Sequence, residues 1–263
     1  MRSLFVVLVM WMSAFSAYAS SPKTIRLAYS DVESFPFQIG NGNAVASPPG
    51  LSVDIIEQAA DTLDLEIEYV RIPGKRVLQQ IKTNQVDGGF IFSYSPERAR
   101  YAAYPTKDSQ ADSALRIATL DYFFYRLRDQ SLEWDGINLS ESIRSPIGVH
   151  NGFSIQKVLS DKGIETLEMP STAQLFELLK KRRVSAVAIQ SNIADSYIEK
   201  NQLPNIVKVN PPILRKYYYL IFSQRFAAEN PELVGQMWST IGNVRDEIIS
   251  DNLVKYLVEG NPL

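Results

Sequence analysis

The sequence predicts an α/β protein of two similar lobes, each a mostly parallel sheet flanked by helices. Three observations carry this. The order strand, loop, helix, strand, helix, strand occurs twice, first over residues 24–92 and again over residues 146–190. The closing strands of the two series echo each other, V-D-G-G-F-I-F at 86–92 and V-S-A-V-A-I-Q at 184–190. Two further β-rich runs, 114–126 and 213–222, lie outside the series and are placed to cross from one lobe to the other. Strands alternating with helical patterns imply βαβ units and parallel sheets. Two such units side by side predict a ligand cleft between them, because pockets favour domain interfaces.

The elements follow in order. Residues 24–30 alternate as a strand, and 31–49 form a loop rich in Gly, Asn, Ser and Pro that contains Phe35-Pro36-Phe37. Residues 50–63 carry an apolar stripe of Leu51, Ile55, Ala59 and Leu63 at helical spacing. A strand over 65–72 is broken by Pro73-Gly74, and a helix over 75–84 follows. The run 88–92 is continuously apolar, as a buried parallel strand should be. In the second series, strands are expected over 146–150, 165–169 and 184–190, with helices over 153–161 and 173–181. The Lys180-Lys181-Arg182-Arg183 cluster at that helix end suits the dipole and reads as a solvated terminus. The C-terminal region reads as two helices, one from Asn230 and one over 251–258.

Composition excludes several chemistries. There is no cysteine, so disulfides, thiol catalysis and thiolate metal sites are absent. His150 is the single histidine, and no G-x-S-x-G surrounds any serine, which argues against a serine hydrolase. It reads as a strand-end structural residue, and no metal or cofactor site is expected. Residues 1–19 have the form of a secretory signal: Arg2, an apolar run from Leu4 to Phe15, and Ala17-Tyr18-Ala19 before Ser20. The mature chain is therefore expected to be exported, cleaved after Ala19. Removing that segment takes away Arg2 alone, leaving 26 basic residues against 29 acidic ones. This mild acidity gives no footprint for nucleic acid.

The strand ending at Phe92 leads into Ser93-Tyr94-Ser95-Pro96-Glu97-Arg98. Ser95 is a good N-cap, Pro96 a good first helical residue and Glu97 a favourable first-turn charge. Arg98 is the odd member, because a cation in the first turn opposes the macrodipole. Parallel sheets bind small ligands at this edge, beyond the carboxyl ends of their strands.

The series G-L-S-V-D-I-I (50–56), R-V-L-Q-Q-I-K-T-N-Q-V-D-G-G-F (76–90) and S-P-E-R-A-R-Y-A-A-Y-P (95–105) resembles the family 3 extracellular solute-binding proteins. These are the periplasmic receptors of polar amino acid importers. The resemblance covers nearly all of the mature chain. It implies a type II binding-protein fold with a two-strand hinge and a discontinuous first lobe, residues 20–115 plus 220–263, around a second lobe at 116–219. It implies a monomer that closes on a small-molecule ligand by hinge motion. The partner would be an ABC importer's permease or, alternatively, a membrane sensor.

By the same resemblance Arg98 is the residue that grips a ligand carboxylate, where a planar guanidinium can donate two parallel bonds. Ser93 maps to the hydroxyl before it. Gly152-Phe153-Ser154 maps to a second-lobe loop whose backbone N–H groups, at a helix start, hold the same carboxylate. Ser154 matches the family pattern and Phe153 departs from it. A larger departure is Gln190, with Ser185, where amino-acid receptors carry acidic residues that pair with the ligand's ammonium. Without that countercharge a buried ammonium would cost several kcal/mol. Asp31 or Glu33 could supply a charge from the first lobe. Phe35 and Phe37 either cover the ligand's apolar part or plug the first lobe's core. Arg76 is split between ligand contact and surface pairing, and Asp87 reads as structural. Cyclohexadienyl dehydratases share this fold. That enzymatic alternative would need a cleft carboxylate, for which Glu33 and Glu97 are the candidates.

Overall fold

The structure, a computed structural model, describes residues 23–139 and 145–259. Residues 1–19, expected from the sequence to be a secretory signal, and the expected cleavage after Ala19 lie outside the described residues.

The first series forms as the spacing requires. Strand β1 (Lys23–Ser30) pairs in parallel with β2 (Leu65–Ile72) along its whole length, and with β3 (Gly88–Ser93) on its other side. Helix α1 (Leu51–Thr62) buries Leu51, Ile55 and Ala59 of the expected stripe, with Val53, Ile56 and Ala60 beside them, while Leu63 follows the helix as its C-cap and is only partly buried. Helix α2 (Gly74–Lys82) buries Val77 and Ile81. Each fully buried aliphatic side chain of this kind is worth roughly 1.5–3 kcal/mol. The glycines of D-G-G are steric necessities. A Cβ at Gly88 would lie 2.4 Å from the Ile221 carbonyl oxygen, and one at Gly89 would lie 2.6 Å from that of Ala28. Asp87 is structural, as expected: its carboxylate accepts from the Arg26 N–H at 2.9 Å.

Ser95 caps α3 (Pro96–Ala99), its hydroxyl accepting from the Arg98 N–H at 3.2 Å. The short strand β4 (Ala102–Ala103) and the hairpin β5 (Thr106–Lys107) and β6 (Gln110–Ala111) follow. A one-turn helix (Ser113–Leu115) then leads into β7 (Ala118–Leu127).

The second series repeats the plan with β8 (Ile147–His150), α4 (Ile155–Asp161), β9 (Thr166–Met169), α5 (Thr172–Lys180) and β10 (Ala186–Gln190). Here β8 pairs in parallel with both β9 and β10. Helix α6 (Ser191–Lys200) starts directly at the end of β10.

The two series are joined through β7 and β11 (Ile206–Ser223), which pair antiparallel from Ile206–Leu127 to Tyr218–Ala118. β11 continues to pair antiparallel with β3, and β7 pairs antiparallel with β10. One curled sheet of order β2-β1-β3-β11-β7-β10-β8-β9 results, with parallel units at its two ends and the antiparallel pair between them. This is the two-lobed α/β architecture with a two-strand connection that the sequence predicts. Helix α7 (Gln224–Glu229) and the long α8 (Pro231–Glu259) return to the first lobe, where α8 packs on α1. The two helices expected at the C-terminus are thus one continuous helix. Among the described residues no helix is long and apolar enough to cross a membrane.

One local departure positions the site. Ile91 has φ 62°. The left-handed region is rare for a β-branched residue and signals a constrained backbone. It falls where Phe92 pairs with Tyr219 and Phe90 with Leu220, so Ile91 is the extra residue of a bulge. A bulge re-aims the strand beyond it, here toward Ser93 and the cleft.

Candidate functional site

A small cavity of about 40 Å³ lies between the lobes at the carboxyl end of β3. Its walls include Phe90, Ile91, Ser93 and Arg98 from the first lobe, Tyr122 and Tyr218 from the crossing strands, and Phe153, Ser154 and Gln190 from the second. A wider cleft of about 500 Å³ lies on the outer side, and Arg98, Phe153 and Ser154 stand at the boundary of the two. At roughly 10–15 Å³ per water centre, the inner cavity holds only a few waters, and the two lobes are hydrogen-bonded across it. Lys75, Glu97, Glu168 and Lys216 face the outer cleft.

Arg98 is the centre of the polar network. Its Nη1 donates to the Ser93 carbonyl at 3.0 Å and to the Ser93 Oγ at 3.2 Å. Its Nη2 reaches across the cleft to the Gly152 carbonyl at 3.1 Å. Ser93 donates from Oγ to the Ser154 Oγ at 3.1 Å, a second bond between the lobes. The Lys216 ammonium on β11 donates to the same Ser154 Oγ at 2.8 Å. The Tyr104 hydroxyl holds the Ser93 carbonyl at 3.0 Å and so fixes the turn that carries it. Burial, and then the Arg98 charge, lower the Lys216 ammonium to about 8. Among the described residues neither Arg98 nor Lys216 has a carboxylate partner.

The opposite wall is neutral. Gln190, buried at the end of β10, donates from Nε2 to the Tyr218 hydroxyl at 2.6 Å, which donates to the Tyr122 hydroxyl at 3.1 Å. Burial pushes the Tyr122 hydroxyl up to about 12 and raises Tyr218 well above the ordinary range. Both are therefore neutral hydrogen-bonding groups at physiological pH. Among the described residues that line the inner cavity there is no carboxylate.

The same architecture occurs in solved structures. A histidine kinase sensor domain with similarity to periplasmic binding proteins matches with a TM-score of 0.70 at 16% identity, over 86% of this chain and 92% of that one. The substrate binding protein of an amino acid ABC transporter matches with a TM-score of 0.66 at 13% identity, over 87% and 98%. The GluR0 ligand-binding core from Nostoc punctiforme, in complex with L-glutamate, matches with a TM-score of 0.64 at 16% identity, over 85% and 93%. This chain has the periplasmic binding protein fold. No protein-family model and no curated protein sequence matches it.

In the binding-protein fold of this chain, five of the residues singled out from the sequence come together: Arg98, Ser93, Phe153, Ser154 and Gln190. Four do not reach the cavity. Asp31 sits near Arg71 at the start of the 31–49 loop, its backbone bonded to Ile72 and Gly42. That loop is held by the buried Arg71, whose guanidinium donates to the carbonyls of Ile39 (2.8 Å), Ala44 (3.0 Å) and Gly40. Phe35 lines a separate flank pocket with Ser171 and Tyr197, and its carbonyl accepts from Asn192 at 2.9 Å. Phe37 packs against the main core and is not among the residues lining the inner cavity. Arg76 is exposed on α2 and away from the cavity.

Two expectations about individual groups change. The Gly152 N–H donates to Glu168 Oε2 at 3.2 Å and the Phe153 N–H to the His150 carbonyl at 3.2 Å. The loop therefore offers the Ser154 hydroxyl and has spent these two backbone donors within its own lobe. Glu33, a candidate acid, accepts from the Gly40 N–H at 2.7 Å, and Glu97 faces the outer cleft. His150 is buried with Nε2 3.2 Å from the Thr172 hydroxyl, and burial lowers it to about 3. It is a neutral packing residue under the Phe153 ring.

Sequence reasoning missed Lys216, Tyr122 and Tyr218. The signal was present in the period-two pattern of β11. Leu214, Lys216 and Tyr218 share one face, while Arg215 and Tyr217 point outward. Arg215 meets Asp121 in a two-bond pair at 2.8 and 2.9 Å, whereas Lys216 turns into the cleft.

Proposed function

We propose that the protein is a solute-binding protein that captures a small polar, carboxylate-bearing molecule by closing its lobes around it. The observation that carries this reading is Arg98. Its guanidinium is spent on neutral oxygens, two from Ser93 and one from Gly152 across the cleft. A carboxylate is a stronger acceptor for the same fork, and charge-assisted bonds are roughly twice as strong as neutral ones. The hydroxyls of Ser93 and Ser154 complete the donor set.

Under this reading residues 20–115 with 220–263 form the first lobe and residues 116–219 the second. The chain is exported through the 1–19 signal, stays monomeric and hands its ligand to a membrane importer. Delivery to a membrane sensor is the second reading, favoured by the likeness to a kinase sensor domain. The absence of a carboxylate among the described lining residues supports binding over dehydratase chemistry.

A thermal-shift screen of the mature protein over organic acids, amino acids and small amides tests the proposal. A ligand at 100 times its dissociation constant adds about 2.7 kcal/mol. At least one carboxylate should raise the melting temperature by several degrees. Stabilisation by neutral amides alone would contradict the reading.

A further inference from the structure

Resting on that reading, we propose that Lys216 is a second anion-binding residue and that the ligand is a small dicarboxylate lacking an ammonium group. Three features of the cleft converge on this. Lys216 and Arg98 approach one point from different elements, β11 and α3, and are linked only by the hydroxyls of Ser154 and Ser93. Among the described residues no carboxylate pairs with either cation: of the acids in the outer cleft, Glu168 is paired with Lys75 and Asp161 with Lys157, and Glu97 makes no ion pair with Arg98 or Lys216. Unpaired buried charge is costly, and a dianion offsets it where a zwitterion does not. The facing wall of Gln190, Tyr218 and Tyr122 is a chain of neutral groups. It can serve a second carboxylate or a hydroxyl, and it gives an ammonium no counterion.

Arg98 alone would serve any carboxylate and says nothing about net charge. Lys216 adds the discrimination. It is partly buried on a strand face that the crossing pair turns inward, and its one hydrogen bond among the described residues goes to a neutral oxygen. Burial first, and then the Arg98 charge, lower its ammonium, as expected for a cation held out of water without an anion. The exposed cations of the outer cleft do not share this state. Lys75 is paired with Glu168 at 2.7 Å and Lys157 with Asp161 at 2.8 Å.

The test compares ligands matched in size. Malonate, succinate and glutarate are titrated by calorimetry against butyrate and L-aspartate, the last differing from succinate only by its ammonium. At least one dicarboxylate should bind ten times or more tighter than both comparators. Lys216→Met should bring that dicarboxylate down to within about threefold of butyrate, while Lys216→Arg keeps the preference. Circular dichroism and melting confirm that each variant is folded. Should Lys216→Met fail to fold, the wild-type ranking decides. L-aspartate binding as tightly as succinate, or an unchanged preference in Lys216→Met, would overturn the inference and leave the Arg98 proposal standing. No binding of any carboxylate would overturn both.

Discussion

At the residue scale the cleft is a set of donors around neutral acceptors, and Lys216 gives it a pH signature. Its ammonium is lowered to about 8 in the fold, while an unfolded lysine titrates at about 10.4. Between those values the unfolded chain holds a proton that the folded chain has released. Stability of the ligand-free protein should therefore rise from about pH 8 toward pH 10 through this group and be flat below it. Above about pH 10 the buried tyrosines Tyr122 and Tyr218 act in the opposite sense, because their folded values are raised. The groups facing Lys216 are Arg98, Ser154 and, across the outer cleft, Lys75, Glu97 and Glu168. Urea unfolding across this range should show the rise in the wild type and its loss in Lys216→Met. Gln190 supports a second prediction. Gln190→Asp places a carboxylate at the neutral wall and should shift selectivity toward zwitterionic amino acids, read as a reversal of succinate and L-aspartate in thermal shift. An unchanged order would show that this wall does not meet the ligand. Arg98 stood out in the sequence because its charge is wrong for its helix position. Lys216 did not, because a lone lysine in a strand is unremarkable until Tyr218 is known to be buried beside it.

At the element scale β3 carries both the fold and the site. Its glycines let β1 and β11 approach, and its bulge at Ile91 turns Ser93 into the cleft. Gly89→Ala puts a methyl 2.6 Å from the Ala28 carbonyl oxygen. Overpacking of this kind costs about 1–3 kcal/mol, so the urea midpoint should fall clearly. A neutral outcome would mean that the strand can shift without cost. Most elements were legible from local pattern. The strand Leu65–Ile72 lies where alternation and Pro73-Gly74 place it, and Ser95 caps as its chemistry suggests. The elements that were not legible lack punctuation. Helix α6 starts at Ser191, directly after β10 ends at Gln190, with no Gly or Pro at the junction. The long α8 has no Pro or Gly to interrupt it near residue 250. The 31–49 loop was legible as a loop, but not that it would line the cavity through Ser34 and Gln38 while Asp31, Phe35 and Phe37 stay off its walls. Arg71 on β2 gathers it through backbone carbonyls, and carbonyls carry no sequence signal.

At the scale of the whole molecule the lobes are closed by a few polar bonds across the cleft. They include Ser93 to Ser154, Arg98 to Gly152, Asn192 to Ser34 at 3.0 Å, and the Lys75–Glu168 pair at 2.7 Å. The Lys75–Glu168 pair is exposed enough to be worth about 0–1 kcal/mol. The Asn192 bonds are less exposed, and a net hydrogen bond contributes about 0.5–1.5 kcal/mol. Asn192→Ala should therefore loosen closure and weaken ligand binding by about two- to tenfold. Unaltered affinity would mean that this contact plays no part in the bound state. Everything at this scale depends on Arg98 being the group that closure brings onto the ligand. Calorimetric titration of the wild type and Arg98→Ala with the best carboxylate from the thermal screen tests it most directly. Truncating one partner of a buried charge pair costs about 2–5 kcal/mol, so affinity should fall by about thirty- to several-thousandfold, with the variant still folded by circular dichroism. A folded Arg98→Ala protein that binds the carboxylate as tightly as the wild type would contradict it.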